Sequence, residues 1–175
     1  MNFSLATISA TLERTPATLR AMLVGLPEEL LRLRSEGEET WSPFDIVGHL
    51  VIGEKTDWIP RARIILAAEG DRRFTPFDRF AQEQESGGKS CDDLLDEFAR
   101  LRAQNLQALA AMTITDKELT LTGTHPDFGS VTLQQLLATW SVHDLGHIAQ
   151  IARVLARSRR KLVGPWTKYL SILGR

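Results

Sequence analysis

The stretch TLQQLLATWSVHDLGHIAQIARVLA, residues 132–156, is the most informative part of the sequence. Its apolar residues recur every three or four positions, as on the buried face of a long helix, and Thr132 is suited to cap its start. His143 and His147 lie four residues apart within it. On a helix that spacing puts both imidazoles on one face, roughly 5–6 Å apart. The stretch therefore predicts a buried helix that presents two histidines together.

A second stretch, WSPFDIVGHL at residues 41–50, supplies a third histidine, His49. Ser42 followed by Pro43 is a strong helix-start signal, an N-cap residue with proline at the first helical position. Three imidazoles from two helices can hold one metal ion and leave a fourth position for water or substrate. The predicted metal ligands are His49, His143 and His147. The alternative for a histidine on an apolar face is a hydrogen-bonded core residue.

The remaining sequence reads as helices almost throughout. Long helices are predicted over residues 4–24 with a restart or kink at Pro16, 42–70 with a kink near Pro60, 90–112 after a Ser90 cap, and 132–156. Short extra helices are predicted near 27–31 and 165–173, and the second should dock Trp166 and Leu170. Residues 70–89 form a long irregular connection of the kind often used as a binding loop or lid, and residues 113–130 are extended or turn-rich. This pattern predicts an all-α four-helix bundle, a single domain over residues 1–175, with a long crossover between helices 2 and 3.

Composition excludes several classes of partner. The 21 basic and 22 acidic residues nearly cancel, so we expect neither a nucleic-acid nor a membrane partner. Cys91 is the only cysteine, which rules out an intrachain disulfide and indicates a reducing compartment. The first residues lack the basic and apolar regions of a signal peptide. A cytoplasmic location is therefore predicted, with Cys91 as an inert residue in the first turn of the third helix.

The two histidine-bearing stretches resemble the DinB superfamily, whose members are similar to bacillithiol- and mycothiol-dependent S-transferases. The similarity extends over nearly the whole chain. It implies a four-helix bundle, commonly a homodimer, with one histidine of the second helix and the HxxxH pair of the fourth binding nickel or zinc. Those positions correspond to His49, His143 and His147. The family name refers to DNA-damage induction and implies no DNA binding.

Further candidates for the site flank these histidines. Glu54 and Asp57 lie one to two turns beyond His49, and each is a candidate general base, with a salt-bridged or solvated carboxylate as the alternative. Gln150 lies one turn beyond His147, where it is a candidate to hydrogen-bond a ligand imidazole or a bound water.

Candidates to bind a cofactor or substrate are less sharply defined. Arg61 and Arg63 are assigned to the opening of the bundle, as binders of a carboxylate or phosphate. Trp140 lies on the face of the histidine pair, against a cofactor or as core packing. His125, in a Pro-containing loop, has a structural or pocket role, and Asp144 either orients a histidine or pairs with an arginine.

Two functions from different classes follow. The first is a metalloenzyme acting on a small molecule, in which a three-histidine nickel or zinc ion supports either hydrolysis or transfer of a low-molecular-weight thiol. That thiol must come from outside the chain, because Cys91 is predicted to lie far from the histidines. The second is a non-catalytic stress-response or binding protein with a structural metal. Three protein ligands favour the enzyme, because structural zinc sites usually have four.

Overall fold

The computed structural model describes residues 3–78 and 80–174, most of which are helical. The elements in chain order are α1 (Leu5–Leu23), α2 (Glu28–Leu31), α3 (Pro43–Thr56), α4 (Trp58–Leu66), α5 (Ala81–Glu85), α6 (Cys91–Ala111), α7 (Asp116–Leu119), β1 (Thr122–His125), β2 (Gly129–Thr132) and α8 (Leu133–Arg157). Two short 3-10 helices, Gly164–Lys168 and Ser171–Leu173, follow. α1, the α3–α4 pair, α6 and α8 pack together as a four-helix bundle, which confirms the predicted fold.

Side-chain caps fix where three of the bundle helices begin. Ser42, Ser90 and Thr132 each accept a hydrogen bond from the backbone N–H three residues on, and the side chain at that position bonds back to the cap. This reciprocal arrangement satisfies two N–H groups that a helix start leaves open. α3, α6 and α8 begin directly after these residues, as the sequence predicts.

The helix predicted from 42 towards 70 is broken at Asp57, three residues before the expected kink. α3 ends at Thr56 and α4 begins at Trp58. Pro60 has no N–H for the carbonyl of Thr56, and its ring crowds that carbonyl. The break therefore falls one turn before the proline.

Pro16, by contrast, lies inside an unbroken α1. The proline leaves the carbonyl of Leu12 without a donor from its own helix. Arg102 on α6 supplies one, with Nη1 2.8 Å from that oxygen. The helix does not restart at the proline, and the carbonyl that the proline leaves open is bonded to a second helix.

The region predicted as extended or turn-rich contains α7 and an antiparallel hairpin, β1–β2. Thr124 of β1 is bonded on both sides to the crossover: its N–H donates to the Arg72 carbonyl at 2.8 Å, and its carbonyl accepts from Phe74 N–H at 2.9 Å. The crossover between α4 and α6 is therefore attached to the hairpin, and it includes α5.

The C-terminal segment differs from its prediction. A short helix was expected to dock Trp166 and Leu170, but Trp166 is 68% exposed and Leu170 39% exposed. Leu173 is the buried side chain of this segment, in the second 3-10 helix, which packs on α8. Among the residues described, no helix combines the length and apolar character needed to cross a membrane.

Candidate metal centre

The three predicted histidines meet inside the bundle. His49 comes from α3, and His143 and His147 come from α8. The Nε2 atom of His143 is 3.0 Å from Nε2 of His49 and 3.1 Å from Nε2 of His147. One ligand nitrogen from each residue lies within 4.8 Å of the other two. The structure thus brings together three imidazoles that lie far apart in sequence.

Aromatic rings surround this cluster. The ring centroid of Trp41 is 4.6 Å from that of His49, and Phe77 meets His49 edge-on at 5.3 Å. Trp58 contacts the ring of His143 edge-on at 5.2 Å. These side chains restrict how the imidazoles can rotate and keep the cluster partly shielded from water.

Gln150 orients one member of the cluster. Its Oε1 atom lies 3.0 Å from Nδ1 of His147. An amide oxygen can only accept, so Nδ1 of His147 carries the proton and Nε2 presents a lone pair. A hydrogen bond between Gln150 and one of the three imidazoles is one of the two roles predicted for it from the sequence, and the contact is with His147.

Burial keeps the paired histidines neutral. The pKa of His143 is lowered to about 3, first by burial and then by the neighbouring His147, His49 and Arg102. Burial also lowers the pKa of His147, although the Gln150 hydrogen bond and the charge of Asp144 oppose it. Neutral imidazoles are the form that binds a metal ion.

The spacing of the nitrogens fits a divalent transition metal. Nitrogen ligands at 2.0–2.1 Å from a tetrahedral ion would be about 3.3 Å apart. The two short Nε2 separations, 3.0 and 3.1 Å, are close to that value.

A cavity of about 520 Å³ opens beside the cluster. Its walls come from α3, α4, α8, the crossover and the hairpin, and they include His49, His143, Asp57, Arg61, Phe77 and His125. The crossover residues 70–89, predicted as a binding loop or lid, thus contribute Phe77 and the neighbouring proline to the wall. The histidine cluster and a space of small-molecule size adjoin each other.

Two of the predicted polar candidates line this cavity as an ion pair. Nη2 of Arg61 lies 2.7 Å from Oδ1 of Asp57 and also donates to the Thr75 carbonyl at 3.4 Å. Burial raises the pKa of Asp57 to about 6, although the charge of Arg61 and its hydrogen bond act in the opposite direction. Asp57 can therefore exchange a proton near neutral pH.

Glu54 and Trp140 lie behind the cluster and do not line the cavity. Glu54 is fully buried and accepts from Arg102 at 2.8 Å, from Asn105 at 2.9 Å and from the Trp140 indole at 3.0 Å. Trp140 is also stacked on Trp58, with ring centroids 5.7 Å apart. Each thus matches the alternative weighed from sequence, a salt-bridged carboxylate and core packing.

Arg63 is not brought to the cavity. It lines a separate surface depression with Leu66 and Met112. Arg61 and Arg63 are two residues apart on α4, so their side chains project from different sides of the helix. Asp144 pairs with Arg102 through two contacts of 2.6 and 3.1 Å, the arginine pairing offered from sequence.

Cys91 is buried at the start of α6 and lies outside the histidine group. Burial, reinforced by the nearby negative charges of Asp92 and Glu28, raises the pKa of its thiol to about 11. Its prediction as an inert residue agrees with this environment.

Four residues near the histidines were not assigned from the sequence. Trp41, Trp58 and Phe77 pack against the histidine rings, and Asp127 of the hairpin turn lines the cavity. His125, for which a structural or pocket role is predicted, also lines the cavity. Trp41 directly precedes the Ser42 cap of the histidine helix, which is a local signal, whereas Asp127 gives no comparable signal.

Comparison with known proteins agrees with this architecture. YfiT from Bacillus subtilis, described as a probable metal-dependent hydrolase with an unusual four-helix bundle topology, is similar in structure with a TM-score of 0.74 and 21% sequence identity, over 88% of this chain and 87% of that one. TT2238, a four-helix bundle protein, matches with a TM-score of 0.57 and 19% identity, over 85% of this chain and 98% of that one. No curated protein sequence matches the chain.

These two likenesses establish the fold. The sequence itself is matched by the family model of the DinB superfamily over residues 11–151, a span that begins in α1, ends in α8 and includes all three clustered histidines. The chain belongs to the DinB superfamily.

Proposed function

We propose that this protein is a metal-dependent enzyme that acts on a small molecule, with hydrolysis as its reaction. His49, His143 and His147 would hold one divalent transition metal, nickel or zinc, both of which suit imidazole ligands. The observation that carries the proposal is the convergence of three Nε2 atoms, with separations of 3.0 and 3.1 Å, at the wall of a cavity.

The number of ligands favours catalysis over a structural metal. Within the described residues, the group that could hold an ion contains three histidines and no cysteine or carboxylate. Catalytic zinc sites have three protein ligands and an open position, whereas structural sites usually have four. A bound ion would lower the pKa of a water molecule and polarise a substrate oxygen.

The chain's own residues divide the remaining work. Gln150 holds His147 with its Nε2 lone pair towards the cluster. Asp57 is the candidate general base, because its pKa of about 6 lets it accept a proton at neutral pH. Arg61 pairs with Asp57 and holds the carboxylate in the cavity wall. Trp58 and Phe77 supply apolar walls.

Hydrolysis is favoured over thiol transfer by Asp57 and by the likeness to YfiT. Thiol S-transfer is the second candidate, on the family resemblance to thiol-dependent transferases. Cys91 cannot supply that thiol, since it is buried and its pKa is raised to about 11. A low-molecular-weight thiol from solution would be required.

Metal analysis of paired histidine variants tests the ligand assignment. We expect the purified protein to bind one nickel or zinc ion per chain and His147→Ala to lose it while keeping its helical circular dichroism. His125→Ala is the matched control, because His125 lines the cavity but lies outside the cluster. Full metal occupancy in His147→Ala would refute the assignment.

A second measurement separates the two reactions. If thiol transfer is the function, adding 2-mercaptoethanol to cobalt-substituted protein should produce a sulfur-to-cobalt charge-transfer band that strengthens with pH, and Cys91→Ala should leave it unchanged. The absence of this band at every pH would eliminate thiol transfer. Turnover of 4-nitrophenyl esters by the metal-loaded protein, lost in Asp57→Asn, supports hydrolysis, and metal binding without either activity favours the non-catalytic alternative.

We also propose a cytoplasmic homodimer. Exposed apolar side chains near the C-terminus, Leu162, Trp166 and Tyr169, are 83%, 68% and 82% exposed and would gain from a partner surface. Light scattering should give about twice the 19.6 kDa chain mass. A mass equal to that of one chain across micromolar concentrations contradicts the dimer.

A further inference from the structure

We propose that His125 acts in the cavity as a neutral hydrogen-bond donor, whose Nε2–H binds an acceptor oxygen of the substrate. The oxygen belongs to a carbonyl or carboxylate group. This inference rests on the proposed function, because it assigns a role in the same cavity, but its test has separate readouts.

A backbone contact determines the tautomer of His125. The N–H of Asp127 donates to Nδ1 of His125 at a distance of 3.1 Å. A nitrogen that accepts a hydrogen bond cannot carry a proton, and a neutral imidazole has one proton on its other nitrogen. Nε2 of His125 is therefore the N–H group.

The ring is held in place by its surroundings. Phe128 stacks on it with centroids 4.5 Å apart, and Phe74 meets it edge-on at 6.2 Å. His125 ends β1 and pairs with Gly129 of β2, and the preceding Thr124 is bonded to the crossover on both sides. A donor fixed in this way needs little reorganisation when a substrate arrives.

Its charge environment favours the neutral ring. Burial and the positive charge of Arg61 lower the pKa of His125, against the opposing charge of Asp127. The carboxylate of Asp127 is 4.0 Å from Nδ1, and Asp57 faces the same cavity while paired with Arg61. The ring therefore presents an N–H without a formal charge.

Nothing in the described part of the chain accepts a hydrogen bond from this N–H. The contacts of the His125 nitrogens are with Asp127 and involve Nδ1, while the ring lines the cavity shared with His49 and His143. An N–H of fixed direction at the wall of a cavity is suited to an oxygen on which negative charge develops.

The tautomer is measured first, on the unaltered protein. Nitrogen-15 NMR of zinc-loaded protein labelled at histidine should show His125 neutral at pH 7 with its proton on Nε2. Acetate serves as the probe oxygen ligand, and its addition should shift the Nε2–H resonance. A proton on Nδ1, a charged ring at pH 7, or no response to acetate overturns the proposal.

Two variants of similar size then separate the donor from the ring. His125→Phe keeps a ring for Phe128 to stack on but has no N–H, so acetate binding should weaken about tenfold. His125→Gln retains an N–H and should stay within about threefold of the parent. Equal affinity in the Phe variant and the parent contradicts the role. Zinc content is measured in every sample: zinc retained by His147→Ala refutes the ligand assignment alone, whatever His125 does.

Discussion

Two buried polar clusters lie on the same pair of helices, α3 and α8, and they differ in composition, because one pairs opposite charges and the other gathers imidazoles. The first contains Glu54 of α3 and Asp144 of α8, joined by Arg102 of α6. The second contains the three histidines. Side chains only one residue apart on α8, His143 and Asp144, belong to different clusters because they project about 100° apart around the helix.

The charged cluster pairs its charges within the chain. Arg102 donates to Asp144, Glu54 and the Leu12 carbonyl at 2.6–3.1 Å, and Glu54 also accepts from Asn105 and Trp140. Nε of Arg102 is buried without a hydrogen-bond partner among the described residues. Charges buried to this degree persist when they are paired and hydrogen-bonded, which fits a structural role for this cluster.

The histidine cluster brings together imidazoles instead of opposite charges. The Nε2 atom of His143 lies 3.0 Å from that of His49 and 3.1 Å from that of His147, and Oε1 of Gln150 lies 3.0 Å from Nδ1 of His147. Three converging imidazole nitrogens form a ligand set that suits a metal ion. Both clusters are buried, so the candidate site is distinguished by convergent ligand atoms beside a cavity. The charged cluster, with two carboxylates and one guanidinium, has a net formal charge of −1, which would favour a cation at the neighbouring histidines.

The largest expected effect tests the ion pairs of Arg102 in the charged cluster. Arg102→Met should lower the free energy of unfolding by about 3–5 kcal/mol, because Glu54 and Asp144 would be left buried without a cation. Chemical denaturation of the metal-free protein measures it. Arg100→Met, an exposed arginine on the same helix, is the matched control and should change stability by less than about 0.5 kcal/mol. Equal losses of unfolding free energy in the two variants would mean that Arg102 does not pair with Glu54 and Asp144 as described.

An intermediate effect tests the histidine cluster through pH. The pKa of His143 is lowered to about 3 in the folded protein, so between pH 6.5 and 3 the unfolded chain binds a proton that the folded one does not. Metal-free protein should therefore lose stability as pH falls through that window. His143→Gln should reduce this loss by pH 4 by on the order of 2–3 kcal/mol.

The slope with pH is the measured quantity, because the substitution itself can also change stability at neutral pH. Urea denaturation at pH 4, 5 and 7 in the presence of a chelator provides it. Identical slopes for parent and variant would show that the cluster accepts protons freely, and the distinction between the two buried clusters would then fail.

The smallest expected effects compare two glycines that each precede a clustered histidine. A Cβ at Gly48 would come within 2.6 Å of the Ser86 hydroxyl oxygen and 3.2 Å of Cβ of Gln82, whereas a Cβ at Gly146 meets nothing within 4 Å. Gly48→Ala should therefore destabilise the protein by about 1–3 kcal/mol through overpacking of α5 on α3. Gly146→Ala should stabilise α8 by about 0.5–1 kcal/mol.

Thermal unfolding of both glycine variants gives the comparison, and metal content shows whether the cluster survives. If Gly48→Ala is as stable as Gly146→Ala, α5 does not pack against the histidine helix. The contribution of the crossover to the site would then be limited to Phe77 and its neighbours.

Local signals carried much of the fold. The caps Ser42, Ser90 and Thr132, together with three- and four-residue apolar spacing, predicted the starts of three bundle helices, because capping depends on contacts within four residues. Elements that depend on distant partners were less well predicted. The hairpin 122–132 is hydrogen-bonded to the crossover at Phe74, and Leu173 is buried in the C-terminal segment where docking of Trp166 and Leu170 is predicted.

The candidate site divides in the same way. The spacing of His143 and His147, with Gln150 one turn on, follows from helix geometry alone. Helix geometry does not predict which of the neighbouring polar residues faces the cavity. Asp57 lines the cavity because Pro60 interrupts the helix there, whereas Glu54 projects towards Arg102. Helical periodicity could not choose between them, since both lie beyond His49 on the same predicted helix.

Local sequence was enough to predict that two histidines share a helix face, where three of the bundle helices begin, and that the family is DinB. The contact of His49 with that pair, the pairing of Arg102 with Glu54 and Asp144, and the position of His125 at the cavity wall are visible only in the folded chain. The two groups of features differ in the range of the interactions that set them. Spacing and caps act over one turn of helix, whereas the rotation and register of one helix against another are set by side chains that pack across the whole bundle.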